Sequence, residues 1–113
     1  MNLPLEGIRI LDFSQFQAGP YAGVMLSDMG AEVIKVERPP GEMTRLAPST
    51  IPTNLNGQNP YFLALNRNKK SLALDYRQEK GREVVYRLAE SADVAIQNFR
   101  PGVMESLKLG YQD

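Results

Sequence analysis

Gly7-Ile-Arg-Ile-Leu-Asp-Phe13, Ser14-Gln-Phe-Gln-Ala-Gly-Pro20 and Ala31-Glu-Val-Ile-Lys-Val-Glu37 together decide the fold of this chain. The first is a β-branched and Leu-rich run behind a glycine, the signature of a buried strand. Pro20 suits the first turn of a helix and Gly30 suits its end. Between them Tyr21/Met25 and Met25/Met29 form apolar i, i+4 pairs beside Val24 and Leu26. The third stretch is a second strand. Ten helical residues rise about 15 Å and five strand residues about 16 Å, so the helix can return the chain to start a parallel neighbour. A compact βαβ unit follows.

Outward from that unit the pattern changes. From Arg38 to Pro60, Pro39, Pro40, Gly41, Pro48, Pro52 and Gly57 break any periodicity. A long irregular loop over 38–60 is expected, of the kind that covers a ligand or a partner. Tyr61-Phe-Leu-Ala-Leu65 fits either helix or strand. Asn66-Arg-Asn-Lys-Lys70 then leads into a strand, Ser71-Leu-Ala-Leu-Asp75. Gln78–Ala92 is read as a helix with Val84, Val85, Leu88 and Ala92 on one face. Asp93-Val-Ala-Ile-Gln-Asn98 is the next strand, and Pro101 opens a last helix that Gly110 stops. The order β-α-β-loop-β-α-β-α defines an α/β fold with a mostly parallel, Rossmann-like sheet. No internal repeat is present.

The 113 residues carry 13 Lys+Arg against 13 Asp+Glu, a balance that excludes a uniformly basic nucleic-acid binder and an acidic tail. The charges are segregated. Residues 1–37 hold two basic and five acidic side chains, 38–87 nine and four, and 88–113 two and four. There is no Cys, so disulfides and thiolate chemistry are absent, and no His, which removes the usual neutral-pH base and the commonest metal ligand. No apolar run approaches the roughly 20 residues of a membrane span, and the N-terminus lacks a secretory pattern. A cytoplasmic setting is expected, with no nucleic-acid and no membrane partner.

Open α/β sheets bind ligands beyond the carboxyl ends of their strands. Three of the four expected strand exits carry an arginine: Arg38, Arg77 and Arg100. Arginine matches phosphate oxygens in bidentate fashion, so a phosphate-bearing ligand is expected there. The dinucleotide spacing G-x-G-x-x-G is missing, and no P-loop occurs. Glu37 ends the second strand where a ribose-binding acid would sit. The cations of Asn66–Lys70 suit either a solvated turn or a terminal phosphate.

Several blocks then resemble one known family. Leu5-Glu-Gly-Ile-Arg-Ile-Leu-Asp-Phe13, Gln17-Ala-Gly-Pro20, Leu26–Glu37, Asn66–Asp75 and Ala92–Met104 are similar to the opening of class III CoA-transferases, the CaiB/BaiF group. The resemblance spans essentially the whole chain and implies a CoA-binding α/β domain over 1–113, the N-terminal part of a larger enzyme. It implies transfer of CoA from an acyl-CoA to a carboxylic acid through an aspartyl intermediate, with the nucleophilic Asp beyond residue 113 and no catalytic residue within this chain. Coenzyme A and acyl-CoA enter as substrates, and no covalently held cofactor or metal is implied. Gln17 and Ala18 would flank the thioester. Arg38, Leu74, Asp75, Tyr76 and Arg77 would line the nucleotide and its phosphates, and Asn98, Phe99 and Arg100 the pantetheine and adenine walls. The family's homodimers are interlocked rings. A position that often carries Arg in the family is Ser106 here, with Lys108 two residues on. An acyl-CoA racemase fragment and a non-catalytic CoA- or nucleotide-binding module are the alternatives.

Overall fold

The computed structural model describes residues 2–47 and 57–113. Strands β1 (Arg9–Asp12), β2 (Glu32–Glu37), β3 (Lys70–Ala73) and β4 (Val94–Ile96) form one sheet in the order β3-β2-β1-β4. Every pairing is parallel, with Leu11 opposite both Ile34 and Ala95, and Val36 opposite Leu72. The helices are α1 (Ala18–Asp28), α2 (Pro60–Asn66), α3 (Glu79–Ala89) and α4 (Val103–Ser106). The expected βαβ unit and the later β-α-β order are therefore present. Strands β1, β2 and β4 begin one or two residues inside their expected runs, while β3 begins one residue earlier, at Lys70, and ends at Ala73.

Period-two alternation assigns the two faces of the sheet. Leu11, Phe13 and Val36 point to the side where Tyr76, Val85 of α3 and Met104 of α4 complete a buried cluster. Ile10 and Val33 point to the other side, against Ala31 and Leu26 of α1. On that second face the next inward positions are Asp12, Lys35 and Glu37, all buried. On the α1 side β1 and β2 thus begin apolar and end charged.

Local signals account for the helices. Asn59 caps α2, its Oδ1 accepting from the Tyr61 N–H at 2.8 Å, and Pro60 occupies the first turn. That capping resolves the ambiguous Tyr61–Leu65 run as helix. In α3, Glu79 in the first turn and Arg87 in the last match the helix dipole. Helix α1 ends at Gly30, whose φ of +104° only glycine adopts freely. Its apolar i, i+4 stripe does not face the core: Tyr21, Met25 and Met29 are 54%, 50% and 38% exposed. The packed face is built from small residues, Gly19, Pro20, Gly23 and Ser27, with Val24. The last helix is a single turn, ending well before Gly110 because Lys108 takes a left-handed backbone with φ +56°. Within the expected 38–60 loop, Met43–Arg45 forms one 3-10 turn, Pro60 already belongs to α2, and residues 48–56 lie outside the described residues.

Candidate functional site

In the strand order the chain runs from β1 out to β3 and then crosses back to β4 on the far side of β1. Between the carboxyl ends of β1 and β4 lies the switch point, where open parallel sheets hold their ligands. Side chains close that corner tightly. Asn98, after β4, accepts from the Gln15 N–H at 2.8 Å and donates to the Gln15 carbonyl at 2.7 Å. Beside it opens a cleft of about 310 Å³ lined by Gln15, Arg38, Tyr76, Arg77, Phe99, Val103 and Leu107. A smaller hollow of about 60 Å³ adjoins it through Gln15, Arg38 and Tyr76.

The cleft pairs cations with flat apolar surface. Tyr76 is buried and meets Phe13 edge-on, with ring centroids 5.9 Å apart. Burial pushes the Tyr76 hydroxyl up, opposed by the Arg38 charge nearby. Arg77 is oriented by Asp75, to which its Nε and a terminal nitrogen donate at 2.9 and 3.1 Å. That fork holds the Asp75 carboxyl below the usual range and raises the guanidinium. A larger hollow of about 440 Å³ lies along β4, but its lining includes Glu105, Asp113 and no basic residue. It does not suit a polyanion.

Arg38, Tyr76, Arg77 and Phe99 are brought together in the cleft, out of the residues that the family resemblance implied. Asp75 and Asn98 stand one contact behind, through Arg77 and Gln15. Leu74 packs against the core cluster instead of the cleft. Gln17 and Ala18 begin α1 at its exposed end, the Gln17 side chain making no capping bond. Arg100 is exposed on the corner before α4 and does not line the cleft. Gln15, Val103 and Leu107 were missed. The last two sit at i, i+4 on the final apolar pattern, a signal that was available.

Beneath the site lies a buried charge network on the α1 face. Lys69 donates to Asp12 at 2.7 Å, to the Pro20 carbonyl at 2.9 Å and to Asn66 at 3.0 Å. Burial pushes the Lys69 ammonium down against the support of Asp12. Lys35 donates to the Ser14 carbonyl at 2.9 Å and lies 3.5 Å from Glu42. Arg45 forks onto Glu37 at 2.7 and 2.6 Å while stacking over the Phe62 ring at 3.9 Å. The cations of Asn66–Lys70 are thus committed to carboxylates: Arg67 to Asp28, Lys69 to Asp12 and Lys70 to Glu32. Lys69 is closed off from a terminal phosphate by burial, while the Arg67 and Lys70 pairs lie on the exposed surface. Glu37 is likewise engaged, accepting from Arg45, Ser71 and the Glu42 N–H, so it is not open to a ribose.

Burial alone would raise the Glu37 carboxyl, but those hydrogen bonds outweigh it and leave the group below its ordinary value of 4.5. A depressed carboxylate contributes stability above its unfolded pKa and loses it as pH falls toward the folded one. Glu37→Gln is expected to cost about 2 kcal/mol at pH 7, with the gap to wild type closing below about pH 4.5. Urea unfolding at pH 7 and pH 4 checks this; an equal gap at both values contradicts it.

A parallel sheet with a cation-lined cleft at its switch point defines an open α/β protein of the kind whose ligand edge lies at the carboxyl ends of its strands. Comparison with known proteins narrows the class. CoA-transferase family III matches residues 5–113, and the chain belongs to that family. It is 50% identical over 113 residues to the "Probable fatty acyl-CoA transferase Rv3272" of Mycobacterium tuberculosis, covering 97% of this chain and 28% of that one. It is 48% identical over 111 residues to succinyl-CoA:glutarate CoA-transferase of Mus musculus, covering 97% and 25%. The crystal structure of a CAIB/BAIF family protein from Brucella suis superposes with a TM-score of 0.87 at 41% identity, covering 99% of this chain and 30% of that one. The chain therefore spans between a quarter and a third of the relatives it matches. Among the described residues no helix is long and apolar enough to cross a membrane.

Proposed function

We propose that this chain supplies the CoA-binding part of a CoA-transferase that moves CoA from an acyl-CoA to a carboxylic acid. The observation that carries the reading is the cleft at the β1/β4 switch point, where Arg38 and Arg77 meet Tyr76 and Phe99. Two guanidinium groups suit the phosphates of CoA, and the aromatic and aliphatic walls suit its adenine and pantetheine. Asp75 preorients Arg77 and Asn98 holds the Gln15 wall, while Gln17 and Ala18 stand at the helix start beside the turn. Arg100, on the exposed corner, is available to the outer end of the ligand. The nucleophilic aspartate and the acid-binding residues belong to sequence outside these 113 residues, in a cytoplasmic homodimer. The exposed Tyr21, Met25, Met43 and Leu46 supply apolar surface for that assembly.

Calorimetry with CoA, NAD and inorganic phosphate tests the reading. CoA is expected to bind with preference over NAD. Arg38→Ala and Arg77→Ala are each expected to weaken CoA about tenfold without loss of fold, because each removes a charge-assisted contact from the lining of the cleft, Arg77 exposed and Arg38 half-buried. Preference for NAD, or indifference to both substitutions, would refute it.

A further inference from the structure

The turn that joins β1 to α1 forms a wall of the cleft, and side chains from four separate elements hold its backbone. The Ser14 N–H donates to Asp12 of β1 at 2.9 Å. Lys35 of β2 donates to the Ser14 carbonyl at 2.9 Å. Asn98, after β4, takes both polar groups of Gln15. The Phe16 N–H donates to Oε1 of Glu42, in the loop after β2, at 3.0 Å. Phe16 itself has φ +63°, a left-handed conformation that a bulky residue adopts only under constraint. Glu42 is 3% exposed and is itself fixed: Thr44 Oγ1 donates to it at 2.7 Å, and its own N–H donates to Glu37 at 2.7 Å.

We infer that Glu42 is a positioning residue, which holds the Ser14–Phe16 turn in its strained conformation and thereby sets the affinity of the cleft for CoA. The inference rests on the CoA reading of the cleft. Glu42 lies in the same small hollow as Gln15, Arg38 and Tyr76, between the 38–47 segment and the turn. A buried carboxylate accepting a backbone N–H is a stiff restraint, and a site preorganised in this way does not spend binding free energy on ordering its own wall. The loop after β2 and the turn after β1 therefore move as one body, with Glu42 as the joint.

The full chain is titrated with CoA by calorimetry, and exchange of the Phe16 amide is followed by NMR. Glu42→Ala is expected to weaken CoA about tenfold or more. It should also speed exchange at Phe16 while the amides of β1 and β2 stay protected. Glu42→Gln keeps an acceptor for that N–H and is expected to bind within about threefold of wild type. Glu32→Ala, at the opposite ends of the strands, should leave CoA affinity unchanged. Wild-type affinity in Glu42→Ala overturns the inference and leaves the site reading standing. If wild type itself takes no CoA, the site reading fails and the inference falls with it. Glu42→Gln is nearly isosteric and keeps the acceptor, but it removes the charge that faces buried Lys35 at 3.5 Å, so urea unfolding is measured beside it. Lost stability with retained CoA affinity supports the inference. A tenfold loss of affinity in a Glu42→Gln variant as stable as wild type shows that the acceptor is not what matters.

Discussion

Lys69→Met is expected to destabilise the fold by about 3–5 kcal/mol, because it strands a buried carboxylate. Asp12 is wholly inaccessible, and the Lys69 side chain is 1% exposed. Lys69 is also the donor that satisfies the Pro20 carbonyl in the first turn of α1 and the Asn66 side chain at the end of α2. Against a typical total of about 5–15 kcal/mol, a loss of this size leaves the folded state marginal. Urea unfolding measures it. Asp12→Asn in the Lys69→Met background should recover part of the loss, since it removes the stranded charge yet keeps an acceptor for Ser14. A single variant within about 1 kcal/mol of wild type would show that Asp12 finds other support.

Gly19→Ala is the second large effect, and it joins fold to site. A Cβ on Gly19 would stand 2.2 Å from Ser14 Cβ and 2.5 Å from its Oγ. In a free helix interior alanine would be favoured over glycine by about 1 kcal/mol. Here overpacking dominates, with an expected net loss of about 1–3 kcal/mol. Ser14 cannot simply swing aside, because its N–H, hydroxyl and carbonyl are all engaged by Asp12 and Lys35. The turn must move, so CoA affinity should fall in parallel. Ser14→Gly deletes the atoms that collide and should restore both properties in the double variant. Gly19→Ala with unaltered stability and CoA affinity would mean that the helix start is loosely seated.

Much of this was legible in the residues. The runs around Ile10 and Val33 marked strands because buried parallel strands are nearly continuous apolar stretches. The run around Ala95 has the same pattern although β4 is mostly exposed. Arginines at strand exits pointed to an anion, and two of the three, Arg38 and Arg77, line one cleft. Arg100 could not be sorted from them, since the offset of a side chain from a cleft depends on the corner that α4 makes. The stripe Tyr21, Met25, Met29 identified α1 but not its buried face, which close packing gave to Gly19, Gly23 and Ser27. The basic middle segment pointed only in part to the ligand. Arg45, Arg67, Lys69 and Lys70 pair with Glu37, Asp28, Asp12 and Glu32, all from the acidic first segment. Complementary segregated charge along a neutral chain is here a record of which segments pack together. Pattern alone cannot separate that from a charge kept for a ligand.

The position of β4 has a consequence for synthesis. It pairs with β1 across more than 80 residues, Ile10 meeting Val94 and Asn98 meeting Gln15. A nascent chain that has emerged only as far as β3 already holds the partners of every buried carboxylate on the α1 face. It has no second wall for the cleft and no Asn98 to hold Gln15 in the turn. Loop closure on that scale is a late event in folding. The cleft proposed to hold CoA is therefore complete only once β4 has paired, and a ribosome must release nearly all of these residues before that happens.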